Sequence, residues 1–175
     1  KGKLLFLNST VSECLSNEEY REYYQKFQGL LGQLVVEITE EEGMDSSALE
    51  IKRNTLGLQG NFALDDYGSG YSNEKNLIDL SPAYIKVDIS IIRDIDKSQD
   101  KQQIVSNIVD YAHARSMQLI AEGIENDAEL RKVIDLGVDL LQGFYLGRPA
   151  AVPAPLAQPA LDTIRRIHTR NSSAG

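Results

Sequence analysis

The sequence predicts an α/β protein with a parallel sheet, and three observations support this fold class. Apolar, β-branched runs alternate along the 175-residue chain with segments of helical character. Most of these runs lack a strict apolar–polar alternation, which is typical of strands buried on both faces of a parallel sheet. Each interval between consecutive runs is long enough to hold one strand and one helix.

Six apolar runs are predicted strands, at residues 3–7, 34–39, 61–64, 84–87, 117–121 and 139–141. A helix is predicted after the first strand, because Ser16 and Glu19 have the spacing of a capping box, and it runs to about residue 31. A second helix is predicted from residue 45 to about residue 58.

Two further helices are predicted in the C-terminal half of the chain. Apolar residues at helical spacing cover residues 104–112. Asn126 is predicted to open another helix and Gly137 to end it. The last part of the chain is rich in alanine and proline, so we expect residues 1–149 to form the domain and residues 150–175 an exit segment with a short terminal helix or tail.

The composition excludes several classes of protein. With 42% hydrophobic and 25% charged residues, the chain has the composition of a globular protein rather than a disordered one. The net charge of −8 argues against binding of polymeric nucleic acid, and no apolar run approaches the roughly 18 residues of a direct membrane segment. The single Cys14 excludes a disulfide framework and indicates a cytoplasmic protein, and two histidines exclude a His-rich zinc site.

Polar residues lie in or just after nearly every predicted strand, where an apolar core would not select them. They are Asn8, Glu37, Asp65, Asp66, Lys86, Asp88, Glu122, Glu125 and Gln142. Each alone has a simpler interpretation as a turn residue, a helix cap or an edge-strand charge. In a (β/α) barrel, however, the carboxyl ends of the strands meet at one mouth. Many carboxylates without histidine or cysteine ligands indicate hard divalent ions, and two such ions suit in-line displacement at phosphorus.

Five motifs, read in order, resemble the EAL-domain family of bacterial cyclic-di-GMP phosphodiesterases. They are Val36-Glu37-Ile38-Thr39-Glu40, Leu64-Asp65-Asp66-Tyr67-Gly68-Ser69-Gly70-Tyr71-Ser72, Ile85-Lys86-Val87-Asp88, Ala121-Glu122-Gly123-Ile124-Glu125 and Leu141-Gln142-Gly143-Phe144-Tyr145-Leu146-Gly147-Arg148-Pro149. The resemblance implies a TIM-like (β/α) barrel, with about six of its eight strands in this chain. It also implies hydrolysis of cyclic-di-GMP to linear pGpG in bacterial signalling, with two Mg²⁺ or Mn²⁺ ions.

The resemblance also implies roles for individual residues, by their positions in the motifs. The implied metal ligands are Asn8, Glu37, Asp65, Asp66 and Glu122. The implied catalytic residues are Lys86, which would hold or deprotonate the attacking water, together with Glu125 and Gln142. The implied substrate-binding or supporting residues are Glu40, Asp88, Gly143 and Arg148. Glu40 would anchor the loop at residues 66–72, which in this family couples metal binding to dimerisation.

One departure from the family pattern bears on activity. The Glu-Ala-Leu motif that names the family is absent, so we expect an N-terminally incomplete domain with little activity on its own and a tendency to associate through open sheet edges. The expected partners are a second copy, as a homodimer, and sensor or GGDEF domains elsewhere in the full protein. The alternative function is a catalytically inactive EAL module that binds cyclic-di-GMP or a protein. A metal-dependent aldolase barrel fits the fold but not the ordered motifs.

Overall fold

The structure is a computed structural model that describes residues 3–9, 16–39, 61–69, 77–78, 80–152 and 154–172. The chain divides into two compact units, Lys1–Lys86 and Val87–Gly175. The predicted helix at residues 45–58 and the predicted anchor Glu40 lie outside the described residues.

The first unit is built on parallel strands that neighbour one another in chain order. Its strands are β1 (Leu5–Ser9), β2 (Leu34–Ile38), β3 (Phe62–Tyr67) and all but the last residue of β4 (Tyr84–Val87). Asn8 pairs with Glu37, and Glu37 in turn pairs with Ala63. Every residue of β2 is buried, as expected for a strand covered on both faces, whereas most of β1 is exposed.

Helix α1 (Asn17–Phe27) follows β1 and begins at the predicted capping box. The backbone N–H of Glu19 donates to Ser16 Oγ over 3.3 Å, and the N–H of Ser16 donates to Glu19 Oε2 over 2.9 Å. The helix ends at Phe27, earlier than predicted, and a short 3₁₀ turn at Leu31–Gln33 leads into β2. The capping box is therefore confirmed, and only the end of the helix was misplaced.

The second unit begins at the last residue of β4 and continues with helices and two strands. Its elements are α2 (Ile89–Ile92), a 3₁₀ turn (Ile95–Lys97), α3 (Gln99–His113), β5 (Gln118–Ala121), α4 (Asp127–Asp135), β6 (Leu140–Leu141) and α5 (Gln158–Ser172). β5 and β6 are parallel, with Ile120 opposite Leu140. The N–H of Glu122 donates to the Val87 carbonyl over 3.2 Å, which joins the end of β4 to the end of β5.

Side-chain caps set where the helices of this unit begin. Asp88 Oδ1 accepts the N–H of Ser90 at the start of α2, and Asn126 Oδ1 accepts the N–H of Glu129 at the start of α4. Such caps satisfy backbone donors that have no partner within the helix. Gly137 follows α4 with a φ of 88°, so the predicted end of that helix is confirmed.

The core of the unit includes most of the predicted apolar stripe on α3, whose buried members are Val105, Ile108, Val109 and Ala112. Ile104, which the spacing places on the same face, is instead 45% exposed. The short helix α2 was not predicted, because four residues offer no helical period to detect. No helix among the described residues is both long enough and apolar enough to cross a bilayer.

Candidate metal-binding and catalytic site

One buried ammonium group lies between two buried carboxylates in the first unit. Lys86 Nζ is 2.7 Å from Glu37 Oε1 and 2.7 Å from Asp65 Oδ1. Glu37, Asp65 and Lys86 are 7%, 7% and 5% exposed. Since buried charges are costly unless they are paired, and one cation faces two carboxylates, this group holds an excess of negative charge.

Three adjacent strands bring these side chains together. Glu37 lies on β2 between Val36 and Ile38, and both of these apolar neighbours are buried. Asp65 lies on β3 two residues after Ala63, the register partner of Glu37, so the two carboxylates share one face of the sheet. The apolar residues fix the strands in the core, and the alternation along each strand then aims the charged side chains at one another.

Asp66 continues β3 in a left-handed backbone conformation with a φ of 55°. Its N–H donates to Asp65 Oδ1 over 3.1 Å, and its carbonyl accepts the N–H of Ser69 over 3.1 Å. Aspartate is among the few non-glycine residues that adopt this conformation at modest cost. The turn therefore fixes the Asp65 carboxylate from the backbone side. The predicted strand ended too early, at residue 64, because β3 continues through both aspartates to Tyr67.

Asn8 lies within β1 rather than after it, directly opposite Glu37 in the register. Neighbouring strands of a sheet are about 5 Å apart, and paired residues point to the same face. Asn8 is therefore beside the buried carboxylates, and it is itself exposed.

In the second unit, the loops that follow β5 and β6 are joined through their backbones. The N–H of Gln142 donates to the Ala121 carbonyl over 2.9 Å, and the N–H of Ile124 donates to the Gln142 carbonyl over 3.1 Å. The N–H of Tyr145 donates a hydrogen bond to the Ile124 carbonyl over 3.0 Å. The segments that carry Glu122 and Gln142 are thus held in one arrangement.

Gly143 makes this close approach possible. A Cβ atom at Gly143 would lie 2.2 Å from the carbonyl oxygen and 2.3 Å from the nitrogen of Ile124. Because both contacts are with backbone, neither can be relieved by rotating a side chain. Gly143 is therefore required by packing, whatever else it contacts.

Glu129 is a buried residue that the sequence analysis missed. It is 2% exposed; its Oε1 accepts the N–H of Asp94 over 2.9 Å, and its Oε2 accepts the N–H of Glu125 over 2.9 Å. Glu125 is also paired with Arg93, whose Nη2 is 2.8 Å from Glu125 Oε1. The spacing of Asn126 and Glu129 signals a helix start, but nothing local in the sequence indicates the long-range contact with Asp94.

A cavity of about 570 Å³ lies in the second unit beside these loops. Its lining includes Glu125, Gln142, Gly143, Phe144, Leu146 and Arg148. The Arg148 guanidinium is 4.6 Å from the centroid of the Phe144 ring, and Phe144 is 53% exposed. An exposed aromatic ring beside a guanidinium can stack against a planar base and pair with an anion.

The donor atoms at these positions fit a hard divalent cation. Around Lys86 they are carboxylate oxygens, with an amide oxygen available on β1, and the group has an unbalanced negative charge. Oxygen donors of this kind are those that Mg²⁺ and Mn²⁺ prefer. Of the remaining predicted residues, Asp88 caps α2, and Glu122, Glu125, Gln142 and Arg148 lie after β5 and β6.

Comparison with known proteins identifies relatives of this chain. A family model described as EAL domain matches residues 2–149. The Cyclic di-GMP phosphodiesterase PdeF of Escherichia coli (strain K12) is 30% identical over 172 residues, which is 95% of this chain and 21% of that protein. The chain therefore spans about a fifth of this curated relative.

Two solved structures resemble the fold. The Klebsiella pneumoniae BlrP1 pH 9.0 manganese/cy-diGMP complex has a TM-score of 0.74 and 28% identity, and the match covers 84% of this chain and 39% of that one. The Bacillus subtilis YkuI protein, with an EAL domain and in complex with c-di-GMP and calcium, has a TM-score of 0.78 and 22% identity, covering 98% of this chain and 45% of that one. These likenesses confirm the predicted TIM-like (β/α)-barrel fold, of which the described residues contain six strands.

Proposed function

Because the chain belongs to the EAL domain family, we propose that the protein carrying it hydrolyses cyclic di-GMP to linear pGpG with the help of Mg²⁺ or Mn²⁺. The observation that carries this proposal is the buried contact of Lys86 with both Glu37 and Asp65. A purely structural ion pair needs one carboxylate for one ammonium. The second carboxylate adds a desolvation cost that a divalent cation would offset.

Two ions would be held by Glu37, Asp65, Asp66, Asn8 and Glu122 in this proposal. When bound, such ions neutralise phosphate charge and make water a better nucleophile. Their positive charge would also allow a chain with a net charge of −8 to bind an anionic substrate.

The side chains of this chain orient the water and the substrate. Lys86 donates a hydrogen bond to Asp65 Oδ1, and we assign it the further task of holding the attacking water as an ammonium or of deprotonating that water as a neutral amine. Gln142 would contact the water or substrate from the loop after β6. Glu125, Glu40 and Asp88 would support the network, and Gly143 and Arg148 would line the substrate path beside the exposed Phe144 ring. The reaction adds one water: its oxygen loses a proton and bonds to phosphorus, one P–O bond to a ribose breaks, and the released ribose oxygen takes up a proton to become a hydroxyl.

Further features of the whole protein are proposed on the same basis. Residues 1–149 would belong to the EAL domain, and residues 150–175 to its exit segment with α5. The protein would be cytoplasmic and homodimeric, with sensor or GGDEF domains elsewhere in its chain. Analytical ultracentrifugation of the full-length protein with and without Mn²⁺ would test the dimer.

The function is tested by incubating the full-length protein with cyclic di-GMP and following products by chromatography. We expect linear pGpG to form with Mg²⁺ or Mn²⁺ and not in excess EDTA. Metal-independent binding of cyclic di-GMP without any pGpG would support the inactive module instead. Neither binding nor hydrolysis would contradict both functions.

A further inference from the structure

The carboxylate of Asp127 is shared by three side chains from three parts of the second unit. The Tyr145 hydroxyl donates to Asp127 Oδ1 over 3.3 Å, and Arg131 Nε donates to Oδ2 over 2.6 Å. The hydroxyl of Thr163, on α5, donates a short hydrogen bond to Oδ1. Asp127 is the first residue of α4, so one carboxylate joins α4, α5 and the loop after β6.

Tyr145, in the loop after β6, is held both by its hydroxyl and by its backbone N–H. Its hydroxyl is bound to Asp127, and its N–H donates to the Ile124 carbonyl over 3.0 Å. The N–H of Ile124 in turn donates to the carbonyl of Gln142. A change in the position of Tyr145 therefore moves the backbone that carries Gln142 and, through Ile124, the backbone next to Glu125.

Helix α5 is attached to the same network. Thr163 is fully buried, and its oxygen lies 3.4 Å from Arg131 Nη2 and 3.2 Å from Arg166 Nη2. Just before α5, the N–H of Ala157 donates to the Leu146 carbonyl over 2.8 Å, one residue after Tyr145. The segment that leads into α5 thus bonds directly to the loop after β6, and the helix itself is connected to that loop through Asp127.

The protonation states suit these directions of donation. The hydrogen bond from Arg131, followed by that from Thr163, holds the pKa of Asp127 below its usual value, so this group stays an acceptor. Burial, followed by the charge of Asp127, raises the pKa of Tyr145, so the phenol keeps its proton.

We propose that Thr163, Asp127 and Tyr145 form a positioning relay, through which α5 holds the Gln142 loop in its working geometry. These three are positioning residues and contact neither substrate nor water in this proposal. The catalytic consequence rests on the proposed function, since Gln142 and Glu125 are assigned there. A misplacement of about 1 Å at a reacting group can cost up to about a hundredfold in rate. Residues that hold the Gln142 loop can therefore influence turnover without contacting the substrate.

The relay is tested in the full-length protein with Tyr145→Phe and Thr163→Val, each of which removes a hydroxyl and keeps nearly the same shape. The matched controls are Tyr111→Phe on α3, whose ring lies 3.9 Å from the Arg115 guanidinium, and Thr169→Val on α5, which removes a hydrogen bond to the Arg165 carbonyl. Two measurements are made: steady-state kinetics with Mn²⁺, which gives kcat and KM for cyclic di-GMP, and hydrogen–deuterium exchange of residues 141–148.

We expect kcat to fall by about three- to tenfold in both relay variants, with a smaller change in KM, and exchange of residues 141–148 to accelerate. The double variant should be no worse than the worse single variant, because both hydroxyls act through one carboxylate. Thr163→Ser, which keeps the hydroxyl, should show kcat and hydrogen–deuterium exchange close to the wild-type values. If the two hydroxyls had only a structural role, each variant would lose thermal stability while kcat and KM of the folded protein stayed unchanged.

The relay is overturned if exchange of residues 141–148 in the relay variants matches that of the two controls, or if exchange rises while kcat does not change. If the wild-type protein does not hydrolyse cyclic di-GMP, the proposed function fails on its own. The exchange measurement then still decides whether α5 holds the Gln142 loop, because it requires no turnover.

Discussion

Lys86 Nζ donates to Asp65 Oδ1 over 2.7 Å, inside a group whose members are each less than a tenth exposed. Glu37 reaches the same ammonium at the same distance. Lys86 is thus the cationic partner of two buried carboxylates, and the electrostatic balance of this part of the first unit depends on it. The same imbalance makes the position suitable for divalent cations.

Lys86→Met should destabilise the protein strongly in the absence of metal. The substitution leaves two carboxylates buried without their ammonium partner, and the loss of one member of a buried ion pair costs about 3–5 kcal/mol. Chemical denaturation in EDTA measures the free energy of unfolding. Added Mn²⁺ should restore part of the loss, because an ion that binds the folded state stabilises it by mass action.

Lys97→Met is the matched control for this experiment. The Lys97 side chain is 72% exposed and pairs with Asp94 on the surface, so its removal should change stability much less. Equal losses in the two variants would contradict the assignment of Lys86 as the partner of two buried charges.

The sequence predicted the elements with strong local signals and placed others imprecisely. The strand Tyr84–Val87 agrees residue for residue, because Pro82 lies just before its apolar run and Asp88 directly follows it. The helix opened by Asn126 also agrees, since capping is a local interaction. Strand β3 extends past its predicted end through Asp65 and Asp66, because tertiary pairing accommodates charged residues that propensity alone excludes from a strand.

The residues of the candidate site also fall into those that the sequence predicted and those that it did not. The charged residues of the motifs could be selected from the sequence because they interrupt apolar strands. The contacts of Glu129 with Asp94 and of Thr163 with Asp127 could not, because each joins residues more than thirty positions apart. Contacts of that kind depend on how the helices pack, which no local period encodes.

Gly143→Ala should lower both stability and activity. The new Cβ would overlap the Ile124 backbone, and overpacking of this kind typically costs about 1–3 kcal/mol. Relief by moving the loop would also displace Gln142. Thermal melts and the pGpG assay on the same preparation would measure both effects.

Gly147→Ala provides the comparison within the same loop. A Cβ at Gly147 would meet no atom within 4 Å, so stability should change by less than about 0.5 kcal/mol. If Gly143→Ala were as stable and as active as Gly147→Ala, the close approach of the two loops would be disproved.

Asp127 should make the free energy of unfolding depend on pH in the acidic range. Its pKa lies below the ordinary value of 3.8, so its ionised form stabilises the folded state above that pH, and the contribution is lost as pH falls through the lower folded-state pKa. The Asp127 side chain is 42% exposed, so solvent screening keeps the effect small.

The measurement is urea denaturation of the wild type and of Asp127→Asn between about pH 5 and pH 2. Asp127→Asn should be less stable at the upper end of this range and should lose less stability on acidification. Asp100→Asn, in the first turn of α3, is the control. A wild-type slope in Asp127→Asn would contradict the predicted direction of the pKa change.

Asp65 is the central metal ligand of the proposed site, and the initial rate of pGpG formation by Asp65→Asn at saturating Mn²⁺ tests this assignment. The amide keeps the size of the side chain and can still accept a hydrogen bond from Lys86, so the variant should fold and be no less stable in EDTA. Its rate should be lower by about a hundredfold to a thousandfold or more, because a lost ligand weakens stabilisation of transition-state charge. A folded Asp65→Asn protein that forms pGpG at close to the wild-type rate would contradict the account.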